Sequence, residues 1–142
     1  MGILNHIGLC VTDLGRWRRF YEEVLGFVHQ RDLAVPDAPA STLLRVPAPV
    51  GMRAVYLVLG DCTLELLHFD RDGNDPRRER SFTEPGLTHL SFSVDDVAAA
   101  CDRVAELGGE VLADTDVGGL AIMVRDPDGQ LLELLPMSYR DT

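Results

Sequence analysis

Four residues stand out by type and by place. His6 and His89 each open an apolar stretch, and Glu65 and Glu133 each sit inside one, in CTLELLHF and GQLLELLP. A carboxylate between leucines interrupts a strand that otherwise buries its side chains. Left unpaired in a core, such a charge costs several kcal/mol, so it needs a proton or a cation. Two imidazoles and two carboxylates together offer one answer, a divalent metal. This donor set suits Zn, Fe, Co, Ni or Mn better than an ion that prefers thiolates.

The four residues are related by repetition. Residues 6–28, HIGLCVTDLGRWRRFYEEVLGFV, align without a gap on 89–111, HLSFSVDDVAAACDRVAELGGEV, at an offset of 83 (89 minus 6). His6 meets His89, Asp13 meets Asp96 and Gly26 meets Gly109. A second match, Leu64-Glu65-Leu66-Leu67 on Leu132-Glu133-Leu134-Leu135, has an offset of 68 (132 minus 64). The chain therefore reads as an internal duplication. A pseudo-twofold between the halves would bring all four residues to one centre.

Each half must position its pair with the same elements: a strand, a helix, then further strands. Residues 4–11 alternate as a strand does. Thr12 or Asp13 caps a helix that Gly26 stops, with Leu14, Trp17, Tyr21 and Leu25 along one face. Asp95 or Asp96 caps the second helix, whose stripe is Val97, Cys101, Val104 and Leu107. Strands are predicted at 27–32, 41–46, 54–59 and 62–69, and at 110–113, 120–125 and 130–135. Gly60-Asp61 and Asp126-Pro127-Asp128-Gly129 read as hairpin turns. The proline-bearing stretches 33–40 and 47–53 read as loops, and the charged run 70–86 as a solvated connection. The expected organisation is α+β, one domain, with modules at about 3–70 and 87–137 joined by a linker over about 71–86.

Strand parity fills in a pocket. His6 shares a face with Gly8 and Cys10, and His89 with Ser91 and Ser93. Glu65 shares one with Thr63, Leu67 and Phe69, so Leu67 and Phe69 are expected as an apolar wall. Tyr56 is a candidate lid residue beside the 47–53 loop, and Arg45 a candidate source of positive charge. His68 is expected to point away from the pocket.

Composition narrows the partners. With 142 residues, 46% hydrophobic and 25% charged, the chain suits one globular domain. Thirteen basic against twenty-three acidic residues give a net charge of -10, which repels nucleic acid and anionic lipid. No apolar run approaches the ~20 residues that span a bilayer. Cys10, Cys62 and Cys101 form no CxxC pair, which excludes a disulfide framework and a thiolate zinc site. Reduced thiols and the lack of a signal-peptide pattern predict a cytoplasmic protein.

The segments NHIGLCVTDLGRWRRFYEEVLGF, TLELLHF, GLTHLSFSVDDVAAACDRVAELGGEV and RDPDGQLLELL together resemble the vicinal oxygen chelate superfamily. That group includes glyoxalase I, methylmalonyl-CoA epimerase, extradiol dioxygenases, fosfomycin-resistance enzymes and bleomycin-binding proteins. The resemblance runs over nearly the whole chain. It implies paired βαβββ modules whose mixed sheets curl around a metal-binding cavity. It also implies one divalent metal per site (Ni, Co, Zn, Mn or Fe), a homodimer, and His6, Glu65, His89 and Glu133 at the four ligand positions. Some relatives pair ligands from different subunits.

The order His, Glu, His, Glu is most similar to bacterial glyoxalase I and near to the epimerases. It implies an isomerase, epimerase or lyase acting through a metal-stabilised enediolate. The expected substrate is small, with vicinal oxygens: a hydroxy ketone, a cyclitol- or sugar-like ketone, or a 2-oxo compound. Glu133 is then the base and Glu65 its opposite partner. Two positions depart from glyoxalase I. Its Arg four residues after the first ligand is Cys10 here, and its Asn four residues after the second is Phe69. A glutathione substrate is therefore not expected. The alternative reading is a drug- or metabolite-binding resistance protein without turnover, and the third is an extradiol dioxygenase.

Overall fold

The computed structural model describes residues 1–70, 75 and 77–141. The elements run β1 (Ile7–Cys10), α1 (Leu14–Leu25), β2 (Val28–Ala34), α2 (Asp37–Leu44), β3 (Met52–Leu59) and β4 (Cys62–Phe69). They continue as β5 (Leu90–Val94), α3 (Val97–Glu106), β6 (Glu110–Leu112), β7 (Ile122–Arg125) and β8 (Leu131–Pro136). The strands form two four-stranded sheets of the same topology, β1-β4-β3-β2 and β5-β8-β7-β6. In each, the first strand runs parallel to the last, and the other pairs are antiparallel. The α+β class and the two repeated modules are as the sequence predicts. Curling is not: each sheet is open, with β1 and β2, or β5 and β6, at its edges. Two compact units result, Met1–Glu22 with Gly26–Asp75, and Glu23–Leu25 with Pro76–Thr142.

The helices begin and end where the sequence marks them. Asp13 caps α1, its Oδ1 accepting from the Arg16 N–H at 3.0 Å. Gly26 stops it at φ 81°, a left-handed conformation that a side chain would resist. Trp17, Tyr21 and Leu25 are buried as the stripe predicts, and Phe20 with them. Asp96 caps α3 by accepting from Ala99 N–H at 2.9 Å. That helix buries Ala100 and Val104 and packs over β6, β7 and β8.

One predicted strand is a helix. Residues 41–44 of the predicted strand and 37–40 of the expected loop form α2, Asp37–Leu44. The prolines misled: Pro36 is the N-cap residue and Pro39 lies in the first turn, where a missing N–H costs no helical bond. β2 runs on to Ala34 and β3 starts at Met52, while β1 starts only at Ile7. The helix is anchored through Asp37, whose Oδ1 accepts from the N–H groups of Val50 at 3.1 Å and Gly51 at 3.0 Å. Asp37→Ala strands both donors. Chemical denaturation should show a loss of about 1–3 kcal/mol, with Asp37→Asn losing less.

This anchored segment decides what happens to the expected pocket wall. Ala40, Val50, Met52, Ala54 and Tyr56 form a buried cluster, and Leu67 and Phe69 pack against it. Leu67 and Phe69 are half-buried, each with one side packed on this cluster. The Gly60-Asp61 turn closes the β3–β4 hairpin as predicted, with Leu59 opposite Cys62. Among the described residues, no helix is long and apolar enough to cross a membrane.

Candidate functional site

In the first module, parallel pairing of β1 and β4 sets Gly8 opposite Glu65. His6, just before the strand, therefore reaches the carboxylate: its Nε2 lies 2.8 Å from Glu65 Oε2. On the other side of the ring, Nδ1–H donates to Asn5 Oδ1 at 2.6 Å. Antiparallel pairing of β3 and β4 sets Tyr56 opposite Glu65. The Tyr56 hydroxyl donates to Glu65 Oε1 at 2.9 Å, so the two carboxylate oxygens have separate partners. The rings of His6 and Tyr56 meet edge to face at 5.7 Å, and the Arg31 guanidinium lies over the tyrosine ring at 4.5 Å. Burial raises the Tyr56 pKa above the usual phenol value, and the Glu65 carboxylate raises it further, against the opposing charge of Arg31. The hydroxyl therefore stays a donor at neutral pH.

The second module repeats half of this. Ser91 lies opposite Glu133, and His89 Nε2 is 3.3 Å from Glu133 Oε2. His89 Nδ1 shares a hydrogen bond with Thr88 Oγ1 at 2.9 Å. The Phe82 ring leans on His89 at 5.5 Å. The antiparallel partner of Glu133, however, is Met123, where the first module has Tyr56. A thioether has no hydrogen to donate. Among the described residues, the contact with His89 is the one polar contact of Glu133. The Glu133 side chain is also more open, 24% exposed against 9% for Glu65.

These donors fit a divalent ion. With Nδ1 engaged by Asn5, the His6 ring turns its Nε2 toward Glu65 Oε2. A nitrogen and a carboxylate oxygen at this distance share either a proton or a metal ion. An imidazole fixed from behind by a second partner is the usual arrangement of a metal-binding histidine. The structure brings His6 to Glu65 and His89 to Glu133. Among the described residues, it gathers no group of three or more His, Cys, Asp or Glu suited to holding a metal.

The other predicted pocket residues are scattered in role. Cys10 is exposed at the end of β1, Ser91 is exposed, and Ser93 is half-buried opposite Leu135. Arg45 is exposed at the C-cap of α2, in a left-handed conformation at φ 55°. Burial pushes the thiols of Cys62 and Cys101 up, which suits neither for a thiolate role. His68 lies off the Glu65 face by parity, with its buried Nδ1 unpaired among the described residues.

Sequence reasoning missed Asn5, Thr88 and Arg31, and it placed Tyr56 at a lid. The signal for Tyr56 was present: three steps back from Leu59 and three on from Cys62, a two-residue turn sets Tyr56 against Glu65. The described residues of the charged run, 70, 75 and 77–86, are all exposed, as a solvated connection is. Arg77, Arg80 and Phe82 line a cavity of the second module, while residues 71–74 and 76 of that run lie outside the described residues.

Comparison with known proteins identifies the family. Residues 3–134 match the profile of the Glyoxalase/Bleomycin resistance protein/Dioxygenase superfamily. The chain is 31% identical to a lactoylglutathione lyase of Pseudomonas aeruginosa, over 96% of this chain and 83% of that protein. It is 28% identical to an ethylmalonyl-CoA/methylmalonyl-CoA epimerase of Cereibacter sphaeroides, over 94% and 97% of the two chains. Among solved structures, a glyoxalase family protein from Bacillus cereus superposes with a TM-score of 0.78 at 17% identity, covering 94% of this chain and 92% of that one, a likeness of fold.

Proposed function

Because the chain belongs to the glyoxalase/bleomycin resistance/dioxygenase superfamily, we propose that it is a metal-dependent isomerase, epimerase or lyase that moves a proton on a small substrate with vicinal oxygens. His6, Glu65, His89 and Glu133 are the ligands in this reading, and the working form is a homodimer. The observation that carries it is the recurrence of a His–Glu pair at the same register in both modules, 2.8 Å apart in one and 3.3 Å in the other.

When bound, the divalent ion supplies Lewis acidity to two adjacent substrate oxygens. The chain's own residues divide the remaining work. Asn5 and Thr88 fix the imidazoles from behind. Tyr56 and His6 hold both oxygens of Glu65, which makes it the fixed carboxylate. Glu133, with Met123 across from it, is free to move and takes the proton from the carbon beside the carbonyl. The electron pair of that C–H bond passes into the carbonyl, and Glu133 returns the proton to the same carbon or its neighbour. The Phe82 ring rests on His89, and the exposed Ser91 hydroxyl is available to a substrate oxygen.

Elemental analysis of the purified protein, before and after loading with Ni, Co, Zn, Mn or Fe, tests the premise. The expected result is near-stoichiometric metal. Turnover is then sought with hydroxyacetone, by loss of C–H signal in heavy water, and with the methylglyoxal–glutathione hemithioacetal. Exchange of the first without conversion of the second is expected, given Cys10 and Phe69. A chain that retains none of these ions overturns the reading and leaves ligand binding without turnover in its place.

A further inference from the structure

The segment after residue 76 builds a cavity of about 300 Å³ in the second module, walled by Arg77, Arg78, Arg80, Arg125, Thr88 and Leu131 among others. The chain has no lysine, its thirteen basic residues are all arginine, and its net charge is -10. Four arginines on one cavity run against that average. One of them is structural. Arg80 donates to the carbonyls of Glu84 at 3.2 Å, Pro85 at 2.7 Å and Leu87 at 3.0 Å. Gly86 sits beneath it at φ 126°, where a Cβ would come within 2.9 Å of the guanidinium. This staple fixes the loop that carries Phe82.

The other three arginines are loosely engaged. Arg77 Nη1 reaches Gln130 Oε1 at 3.4 Å. Arg125 faces Glu79 and Glu110, each at 3.9 Å and each exposed. Pairs of that length at the surface contribute little and give way to a better acceptor. Arg78 makes no hydrogen bond or ion pair among the described residues. With Arg80 paired to Glu84 at 3.4 Å, the three remaining guanidinium charges less the carboxylate of Glu79 leave two positive charges. That matches a phosphate monoester dianion, whose oxygens accept paired guanidinium N–H groups.

The cavity is also placed for the chemistry. Arg125 lies opposite Leu131 across β7 and β8, and one step along the same face Met123 lies opposite Glu133. Two residues of strand are about 7 Å. Thr88, in the cavity wall, is bonded to His89. We propose that this cavity holds the phosphoryl group of the substrate while its oxygen-bearing carbons reach Glu133. The role as a substrate subsite rests on the proton-transfer reading, whereas binding of the anion does not.

The test is calorimetric titration of the purified protein with inorganic phosphate at low salt, as purified and after treatment with chelator. Saturable binding with Kd of about 1 mM is expected in both states. It should weaken about tenfold in Arg78→Gln and in Arg125→Gln, each removing a charged hydrogen bond, and hold in Arg140→Gln. Singly charged acetate should bind about tenfold more weakly than phosphate. Three results overturn the proposal: no saturation below roughly 50 mM, equal affinity for acetate, or indifference to both substitutions in variants whose circular dichroism is native. Metal content of the arginine variants is measured alongside. Phosphate binding lost with metal retained indicts the cavity alone, and metal absent with phosphate bound indicts the proton-transfer reading alone.

Discussion

Glu133→Gln is expected to keep its metal and lose its chemistry, while Glu65→Gln loses the metal first. The two residues hold equivalent places in a duplicated unit, so pattern alone does not separate them. Their neighbours do. Glu65 is buried, with Tyr56 on Oε1 and His6 on Oε2. A base must rotate toward the carbon it deprotonates, and Glu65 would have to break both contacts to do so. Glu133 has one contact, at 3.3 Å, and a thioether across the strand. Removing a positioned general base typically costs about 10²–10⁴-fold in rate. Hydrogen exchange into hydroxyacetone should fall by that amount in the metal-loaded Glu133→Gln variant, at near wild-type stoichiometry. Undiminished exchange with full metal would refute the assignment of Glu133 as base.

Much of this could be read before any coordinates. The two offsets, 83 and 68, place His6 with His89 and Glu65 with Glu133, and the fold keeps the match, the histidines just before β1 and β5 and the glutamates within β4 and β8. Asp13, Gly26 and Asp96 mark the helix ends because capping is local chemistry, decided within one turn. What escaped depends on distant packing. Residues 41–46 look like a strand until Ala40 is seen buried against Val50 and Met52, contacts that no local pattern encodes. Phe69 has the parity of a pocket residue, and its packing on that same cluster is a contact parity does not reveal. The arginines after residue 76 look like a solvated run, since charge in a linker usually is one. Only the return of the chain beside β7 and β8 makes a cavity of them.

Tyr56→Phe separates two accounts of one residue. If the tyrosine were there to fill the core, phenylalanine would serve as well, since it keeps the ring, the edge contact with His6 and the stacking with Arg31. The hydroxyl, however, donates to a buried carboxylate from the strand opposite, and burial with the neighbouring Glu65 charge keeps that hydroxyl protonated. Without it, Glu65 Oε1 loses its donor, and the carboxylate gains freedom to turn its second oxygen away from His6. Outer partners of this kind are worth about 10–100-fold in metal affinity. Competition against a chromogenic zinc chelator should show a loss in that range for Tyr56→Phe. Turnover per bound metal should stay close to wild type, because Glu133 lies in the other module and keeps its own surroundings. Met123→Leu, the equivalent change beside Glu133, removes no donor and should leave affinity unchanged. Equal affinity in Tyr56→Phe and the wild type would return Tyr56 to core packing. It would also remove the asymmetry on which the separate roles of Glu65 and Glu133 are built.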